Sequence, residues 1–392
     1  MSEVNLDLTR AVEQIYPSRE ALQAVLASGR KLTIYHGVDP TGPHLHLGHA
    51  TNLILLRRFQ EAGHKIIFLI GDFTARIGDP TGKMSARQAL SADEVRQNFI
   101  TFRRQAAKVI SFRGPNRATV VWNSRWLGRL RAAEILELMG KVTVQQMIER
   151  DMFQARRKNG KPIWLNEFLY PLLQGYDSVA LEVDVEVGGN DQTFNMLMGR
   201  DLLRAYRGRE KFVITTTLLV NSKTGGKLMN KSEGGLINLD DSPEVMYGKV
   251  MALPDEVIFS IAELCTLTPT ATIADWRALH PRDAKMQVAR AAVTLYASVT
   301  AAAKAEAAFV ATFQKGGAPT EMSEVRAAAG ERLGAVLIRA GAVSSQAEWR
   351  RLVLAGAARE VAGGIITDSH LTIGRPLELK IGKHRFWRVT IT

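Results

Sequence analysis

The chain has a single cysteine, Cys265, among its 392 residues. One cysteine has no partner for an internal disulfide. It lies in the apolar stretch 258–267, which favours a small buried side chain over a catalytic thiol. The fold must therefore be stabilised by packed cores, for which a hydrophobic content of 46% is sufficient.

Long apolar runs are also lacking. No run reaches the ~18 residues that a membrane-spanning helix needs. The opening segment MSEVNLDLTRAVEQ has neither the basic region nor the apolar region of a signal peptide. We therefore expect a cytoplasmic protein without a membrane partner, and at ~150 residues per domain the length predicts two or three domains.

Acidic residues are scarcer than basic ones. The chain has 51 Lys and Arg against 39 Asp and Glu, a net charge of +12, which favours a polyanionic partner. Towards the C-terminus the basic residues are interleaved with Phe and Trp, a pattern that suits RNA because cations contact phosphates and rings stack on bases. An ordinary solvated basic surface is the alternative. The predicted RNA-binding positions are Arg350, Arg351, Lys383, Arg385 and Arg388.

Strand-like apolar runs alternate with helical patterns over the first 220 residues, which predicts a parallel sheet flanked by helices. The pattern then becomes nearly all helical from 243 to about 315, and Gly316–Pro319 reads as a linker. Two helices and short strands are predicted after it. The predicted strands are 32–35, 65–70, 118–122, 182–187 and 212–219, and the main predicted helices before residue 200 are 1–30, 52–62, 92–110 and 130–157.

The most informative short segment is HLGH, residues 46–49, between the first predicted strand and a helix. This order brings a phosphate to a helix N-terminus, where unpaired N–H groups favour negative charge. The imidazoles of His46 and His49 can hydrogen-bond phosphate oxygens, and Gly48 leaves room for a flat base. With His44 the segment also spells H-x-H-x-x-H, so a metal site is an alternative. The intervening residues are not metal ligands, and we predict no metal site.

Five segments, in order, carry a resemblance to a known family. HxGH at a first strand-to-helix turn with a later lysine-containing loop resembles the class I aminoacyl-tRNA synthetases, and the segments between resemble the tyrosyl-tRNA synthetase family. A shorter nucleotidyltransferase that shares HxGH is the rival interpretation. The segments are YHGVDPTGPHLHLGH (35–49), FLIGDFTARIGDPTGK (68–83), EFLYPLLQGYD (167–177), VGGNDQTFN (187–195) and KLMNKSEGG (227–235).

The resemblance implies a domain plan. A Rossmann-like α/β catalytic domain would span 1–235, with a helical insertion around 125–200 that forms a homodimer interface. An α-helical domain on the anticodon side would span 236–318. The tail, 325–392, resembles a small α+β RNA-binding module shared with a ribosomal small-subunit protein.

The resemblance also implies a reaction. The family activates L-tyrosine with ATP, giving tyrosyl-adenylate and pyrophosphate, and then transfers tyrosine to the 3′ end of tRNA(Tyr). Mg²⁺ would arrive with ATP, and no permanently bound metal is expected. The implied catalytic group gathers around the phosphates and consists of Thr41, His46, His49 and Lys231.

Tyrosine binding is where the implied roles meet an argument from chemistry. A site that tells tyrosine from phenylalanine needs buried groups paired to the phenolic hydroxyl, a role that the resemblance gives to Tyr35 and Asp177. Tyr170, Gln174 and Asp177 are spaced i, i+4 and i+7, on one face of a helix. The set implied around the α-ammonium group is Asp79, Tyr170, Gln174 and Gln192.

The implied ATP site combines glycines for close approach with polar groups for ribose and phosphate. The loop that completes it departs from the family pattern, because Leu228 stands where a first lysine is expected and Lys227 is displaced by one position. We interpret Lys83-Met84-Ser85, which also begins like the family signature, as a chance match. The implied ATP-binding residues are Gly37, Asp39, His46, Gly48, His49, Gly189, Asp191, Met229, Lys231 and Ser232.

Two alternatives stay open at this point. The altered lysine loop would fit an RNA-binding paralogue with impaired catalysis, although both histidines, Lys231 and the tyrosine pocket are retained. A tryptophanyl-type synthetase would share the fold. Tyr35 and Asp177 favour a hydroxyl-bearing ligand over an indole.

Overall fold

A computed structural model describes residues 8–81, 90–221, 225–229, 235–314, 322–361, 363–382 and 385–391. The chain divides into two compact units. One comprises Met1–Asp241 with Lys249–Ser298, and the other Ser242–Gly248 with Val299–Thr392. Some positions singled out from the sequence lie outside the described residues. They are Lys83, Met84, Ser85, Lys231, Ser232, Lys383 and the predicted linker Gly316–Pro319.

The first unit is built on a six-stranded sheet in the order β1-β6-β5-β2-β3-β4. All neighbouring strands are parallel except β1, which pairs antiparallel with β6 at the edge. The predicted mixed α/β fold with a parallel sheet is therefore confirmed. The strands are β1 (Val12–Tyr16), β2 (Thr33–Val38), β3 (Lys65–Ile70), β4 (Thr119–Trp122), β5 (Val185–Gly189) and β6 (Phe212–Thr216).

The strand order places the binding crevice. Without the β1 edge, the parallel strands follow the doubly wound order, in which β2 is central and the winding reverses between β2 and β5. In such sheets ligands bind outside the carboxyl ends of the strands at this reversal. The segments that follow β2 and β5 contain predicted site residues, Asp39 to Thr41 after the first and Asp191 to Gln192 after the second.

Helices cover the sheet and form the insertion between its two halves. The long α8 carries three predicted tyrosine-pocket residues, and short 3-10 turns follow β3 and β5 at Thr74–Arg76 and Asn190–Gln192. The helices up to β6 are α1 (Arg19–Ala27), α2 (Leu47–Glu61), α3 (Ala92–Ala106), α4 (Ser124–Leu127), α5 (Ala132–Met139), α6 (Val144–Ile148), α7 (Asp151–Lys158), α8 (Leu165–Leu181) and α9 (Thr193–Arg207).

Two sequence-based predictions of continuous helices are wrong. Within 1–30, residues 12–16 form β1 because they pair with β6, and α1 begins only after Ser18, whose side chain accepts a hydrogen bond from the Ala21 N–H. Within 130–157 there are three helices, since α5 ends at Gly140 and Thr143 starts α6 with a capping box. The apolar residues keep a helical spacing across these breaks, so the sequence pattern did not reveal them.

The region after residue 241 is helical, as predicted. Cys265, at the end of α11, is buried, and its thiol donates to the Leu47 carbonyl at the start of α2. The Arg10 guanidinium donates to the carbonyls of Ala262 and Glu263 of the same helix. These contacts hold α11 against the beginning of α2. The helices are α10 (Pro243–Ala252), α11 (Ile258–Cys265), α12 (Thr270–Arg277), α13 (Pro281–Tyr296) and α14 (Val299–Phe309), with a 3-10 turn at Asp255–Val257 and a π-helical turn at Val310–Gln314.

The C-terminal part of the second unit is a small α+β structure with its own core. Its sheet has the order β7-β10-β9-β8, and Trp349 is fully buried in the core below it. No helix in the described part of the chain is long and apolar enough to cross a membrane. The elements are β7 (Ser323–Ala327), α15 (Leu333–Arg339), α16 (Gln346–Leu354), β8 (Ala358–Glu360), β9 (Leu377–Ile381) and β10 (Arg385–Ile391).

Candidate active site

The two histidines of the HLGH segment cap the N-terminus of α2. His46 Nδ1 accepts from the Gly48 N–H at 3.1 Å, and His49 Nδ1 accepts from the His46 N–H at 3.2 Å. A neutral imidazole that accepts at Nδ1 carries its proton on Nε2. The capping contacts therefore leave both Nε2–H groups as donors at a helix N-terminus.

Burial keeps these imidazoles uncharged. It lowers the pKa of His46 to about 4 and that of His49 well below its ordinary value, with a further lowering of the latter by the neighbouring His46. The ring centroids are 4.0 Å apart. Both side chains therefore present neutral N–H dipoles at neutral pH, and a bound anion would raise both pKa values.

Gly48 is required by the cap itself. A Cβ at this position would lie 2.9 Å from His46 Cε1, so any side chain would displace the capping ring. The sequence analysis explained Gly48 by the room that it leaves for a base, and the structure adds the cap as a second reason for glycine at this position. His44, the third histidine of the segment, lies with Nδ1 2.9 Å from Asp240 Oδ1.

The predicted phenol-binding pair lies buried between β2 and α8. Tyr35 is fully buried, and its hydroxyl is 2.9 Å from Ser178 Oγ. Asp177 is 2% exposed. It accepts from Trp126 Nε1 at 2.8 Å and from Asn123 Nδ2 at 3.3 Å. The structure thus brings together the two residues that the sequence analysis assigned to the phenolic hydroxyl.

Burial dominates the electrostatics of this pair. It raises the pKa of Asp177 to about 8, although the bonds from Trp126 and Asn123 act in the opposite direction. Burial and the nearby Asp177 also raise the pKa of Tyr35 well above its ordinary range. Without a ligand, the pocket therefore disfavours a negative charge on either group.

A buried ion pair lies beside Tyr35. Lys211 and Glu186 are 1% and 3% exposed and form a direct ion pair. Lys211 Nζ also donates to Ser178 Oγ at 2.6 Å and lies 5.4 Å from the centroid of the Tyr35 ring. Burial lowers the pKa of Lys211, while Asp177 raises it, and the contact with Glu186 stabilises the protonated form.

The predicted ammonium-binding residues form two further hydrogen-bonded groups. Tyr170 donates to Asp39 Oδ2 at 2.8 Å, and Gln192 Nε2 donates to Asp79 Oδ2 at 2.7 Å. Asp39 and Asp79 both raise the pKa of Tyr170, whose burial is the largest cause. Two carboxyl groups therefore lie near Tyr170, and their negative charge would suit an ammonium group.

Gln174 joins these groups to the buried ion pair. Its Oε1 accepts from Asn195 Nδ2 at 3.0 Å, and the same Nδ2 lies 2.9 Å from Gln192 Oε1. Gln174 Nε2 lies 3.4 Å from Glu186 Oε1. Tyr170, Gln174 and Asp177 are all on α8, as their spacing predicted.

The predicted nucleotide-binding residues line the ends of β2 and β5. Gly37 is in β2, with Thr41 just beyond it, and Gly189 ends β5. Asp191, in the turn after β5, forms an ion pair with Lys227 at 2.8 Å. The resemblance had left a role for Lys227 open, and the structure places this cation on a predicted ribose-binding carboxylate.

The described part of the lysine loop is partly buried. Leu228, which stands in the place of a lysine, is 5% exposed, and Met229 is 6% exposed. Met229 approaches the α2 N-terminus, since its Cγ lies 3.9 Å from a Cβ built on Gly48. Leu228 therefore packs inside the protein, and Lys231 and Ser232 are beyond the described residues.

The basic residues predicted to bind RNA differ in their surroundings. Arg350 and Arg351 are exposed on α16 and have no ion pair within the described residues. Arg385 pairs with Glu348, and Arg388 pairs with Glu324 and Glu378. Phe386, expected from its sequence context to stack on bases, is only 7% exposed and lies below Lys380.

Known proteins resemble this chain over most of its length. The family model of class I tRNA synthetases for tryptophan and tyrosine matches residues 27–314. A tyrosine–tRNA ligase of Moorella thermoacetica is 42% identical, over 97% of this chain and 94% of the relative. One from Desulfotalea psychrophila is 43% identical, over 92% and 91%.

The chain belongs to the tyrosine–tRNA ligase family. Solved structures of this family share its fold. A C-terminally truncated mitochondrial tyrosyl-tRNA synthetase of Aspergillus nidulans superposes with a TM-score of 0.65 at 23% identity, covering 76% of this chain and 90% of that one. The Archaeoglobus fulgidus tyrosyl-tRNA synthetase, solved with L-tyrosine, has a TM-score of 0.60 at 24% identity and covers 78% and 98%.

The sequence analysis of this family member did not identify several residues of the site. His36, in β2, is buried, with Nδ1 2.8 Å from the Val187 carbonyl, and its Nε2 has no hydrogen-bond partner within the described residues. Glu186 could have been found from the sequence, because a charged residue inside a buried strand is rare unless it is paired. The others lay outside the matched segments or were polar residues without a recognised spacing. They are Asn123, Trp126, Ser178 and Lys211.

The raised pKa of Asp177 predicts a pH-dependent cost to folding. Between about pH 4 and pH 8 the native carboxyl holds a proton that the unfolded chain releases, so the free energy of unfolding falls as pH rises through this window. Asp177→Asn removes this dependence. The melting temperature of the variant, relative to wild type, should therefore rise between about pH 5 and pH 8.

The control for this measurement is Asp201→Asn, because the Asp201 side chain is 63% exposed. Its melting temperature should follow wild type at both pH values. Parallel curves for Asp177→Asn and wild type would contradict the assignment. Differential scanning fluorimetry without ligands is sufficient.

Proposed function

We propose that this protein activates L-tyrosine with ATP and transfers it to the 3′ end of tRNA(Tyr). The observation that carries the proposal is the buried pair Tyr35 and Asp177 at one end of a pocket that has Asp39 and Asp79 near its other end. The first pair complements a phenol, and the second complements an ammonium group.

Selectivity for tyrosine follows from burial. The phenolic oxygen would accept from Tyr35, and its hydrogen would be donated to Asp177. Phenylalanine would leave the Tyr35 hydrogen and a lone pair of Asp177 desolvated and without a partner on the ligand, which costs factors of about 10⁴ to 10⁵ in rate at sites of this kind. The indole of tryptophan has no oxygen to satisfy Tyr35.

ATP would bind across the sheet reversal with its phosphates at the N-terminus of α2. His46 and His49 would donate their Nε2–H groups to phosphate oxygens, and Thr41 would add a hydroxyl. Ribose would lie near Asp191 and the buried acceptor His36 Nε2, which has no partner among the residues that the structure describes. Class I synthetases use ATP, usually with Mg²⁺, and here the ion would enter with the nucleotide.

The chemistry needs positioning more than acid or base catalysis. The tyrosine carboxylate attacks the α-phosphorus and pyrophosphate leaves. A hydroxyl of the tRNA ribose later attacks the tyrosyl carbonyl, and AMP leaves. Charge on the leaving pyrophosphate would be stabilised by His46, His49, Thr41 and Lys231 in a preorganised site. Neutral imidazole donors suit this task because they carry no positive charge that would repel a metal ion bound to the phosphates.

A homodimer formed through the insertion is part of the proposal. Helices in this region expose several large apolar side chains, which would suit a protein–protein interface. Leu136 is 67% exposed, Val144 65% and Leu165 82%. These side chains would be covered by a second subunit.

We also propose that residues 236–318 lie on the anticodon side and that 325–392 bind tRNA. Support comes from the exposed Arg350 and Arg351 on α16. Arg385 and Arg388 would contribute less, because their charges are already balanced by glutamates. Lys383 stays in the predicted set.

Amino-acid-dependent pyrophosphate exchange tests the reaction. With each amino acid at the same low concentration, we expect exchange with L-tyrosine and none above background with L-phenylalanine or L-tryptophan. Equal exchange with phenylalanine would contradict the proposed pocket. Exchange with tryptophan would support the tryptophanyl alternative, and a lack of exchange with retained tRNA binding would support the impaired paralogue.

We propose different roles for the two loop lysines. Lys231 is proposed to reach the phosphates, and Lys231→Ala should lower kcat for adenylate formation by about 10²-fold, as when one preorganised charge-stabilising group is removed. Lys227→Ala should cost clearly less, since Lys227 is paired with Asp191. The Kd for tyrosine should change little in either variant. A larger effect at Lys227 would make it the functional replacement for the missing lysine.

The tail arginines give a matched pair of variants. Arg350→Glu with Arg351→Glu should weaken tRNA binding and make its salt dependence shallower, because each lost phosphate contact lowers the slope by about one. Arg388→Met, which removes a paired arginine, should change the slope much less. Pyrophosphate exchange should stay near wild type in both. An equal change of slope in both variants would count against the exposed α16 surface.

A further inference from the structure

Tyr35 has a second layer of contacts that tyrosine recognition alone does not explain. Behind its hydroxyl lie Ser178, Lys211 and Glu186, exposed by 0%, 1% and 3%. The Lys211 ammonium is enclosed, since a Cβ on Gly199 would lie 2.7 Å from its Nζ and 2.7 Å from Ser178 Oγ. A lysine and a glutamate so deeply buried are costly unless their contacts are used.

The direction of the hydrogen bonds in this group follows from the donors present. An ammonium has only hydrogens to give, so Ser178 Oγ accepts from Lys211 Nζ at 2.6 Å. The hydroxyls of Ser178 and Tyr35 are 2.9 Å apart, and either oxygen is able to donate. Of these two partners of Ser178 Oγ, only Tyr35 has an oxygen able to accept the Ser178 hydrogen. Lys211 therefore favours the arrangement in which Ser178 donates to Tyr35.

This arrangement fixes what Tyr35 offers to a ligand. A Tyr35 oxygen that accepts from Ser178 keeps its own hydrogen free for another acceptor. With the order reversed, Tyr35 would spend its hydrogen on Ser178 and present only a lone pair. A phenol held between an acceptor carboxyl, Asp177, and a donor hydroxyl, Tyr35, is matched at both its hydrogen and its oxygen.

We propose that Lys211 is a positioning residue for tyrosine selectivity, which acts through Ser178 to hold the Tyr35 hydroxyl as a donor to the phenolic oxygen of the substrate. Glu186 keeps Lys211 in place and also reaches Gln174 on the ammonium side of the pocket at 3.4 Å. This inference rests on the proposed function, since it deepens the role of the phenol-binding pair.

The main test is Ser178→Ala, which breaks the link to Tyr35 while leaving the Lys211–Glu186 ion pair in place. We expect kcat/KM for pyrophosphate exchange with L-tyrosine to fall about tenfold, the size of one lost hydrogen bond. The value for L-phenylalanine, measured at high concentration, should stay the same because that ligand has no oxygen to orient. The tyrosine-to-phenylalanine ratio should thus fall about tenfold.

A second background separates positioning from packing. In Tyr35→Phe there is no hydroxyl for Ser178 to orient. Adding Ser178→Ala to this variant should therefore change the tyrosine-to-phenylalanine ratio little. The double variant Lys211→Met with Glu186→Gln leaves no unpaired charge, and it should lower the ratio as Ser178→Ala does. Thr266→Val is the control for losing a buried hydroxyl, since the Thr266 hydroxyl donates to the Ala262 carbonyl outside this group. It should leave the ratio unchanged.

The outcomes are distinct. Equal losses for both amino acids in Ser178→Ala, or a full effect of Ser178→Ala in the Tyr35→Phe background, would make the group structural and overturn the inference. An unchanged ratio would overturn it as well. If the wild-type protein shows no tyrosine-dependent exchange, the proposed function is overturned, and the inference that rests on it is overturned as well.

Discussion

The burial of the Asp177 carboxyl is the constraint from which most of the site follows. A carboxyl that is 2% exposed must be hydrogen-bonded or protonated, and Trp126 and Asn123 supply its bonds. Asn123 continues to Thr74, which donates to Asp39 at 2.8 Å, and Asp39 accepts from Tyr170. One buried acid thus ties the phenol end of the pocket to its ammonium end.

The backbone makes that arrangement possible by bringing two halves of the chain together. The sheet reverses between β2 and β5. Tyr35 of β2 therefore pairs with Glu186 of β5, and Asp39 and Asp191 follow the carboxyl ends of these neighbouring strands. The capped N-terminus of α2 stands at the same edge with two neutral histidines. The predicted phosphate-binding and tyrosine-binding residues therefore lie at one edge of the sheet.

The sequence was sufficient for the parallel sheet, because the strand and helix periods lie in the chain itself. The matched segments also singled out side chains, such as Tyr35 and Asp177, that the structure places close together. It failed for β1, whose strand character comes from pairing with β6, about 200 residues away. It also missed Lys211 and Ser178, whose importance arises from three-dimensional contacts with Tyr35 and Glu186. The ion pairs of Arg385 and Arg388 could not be predicted from the sequence either, since their glutamate partners are on other strands and helices.

The most direct test of the account is a charging competition. The protein is incubated with ATP, Mg²⁺, total tRNA and an equimolar mixture of the twenty amino acids, and the esterified amino acid is identified by mass spectrometry. We predict tyrosine alone, attached to one tRNA species. Esterified phenylalanine or tryptophan, or an uncharged tRNA pool, would contradict the claim that a buried donor and a buried carboxyl select the phenol.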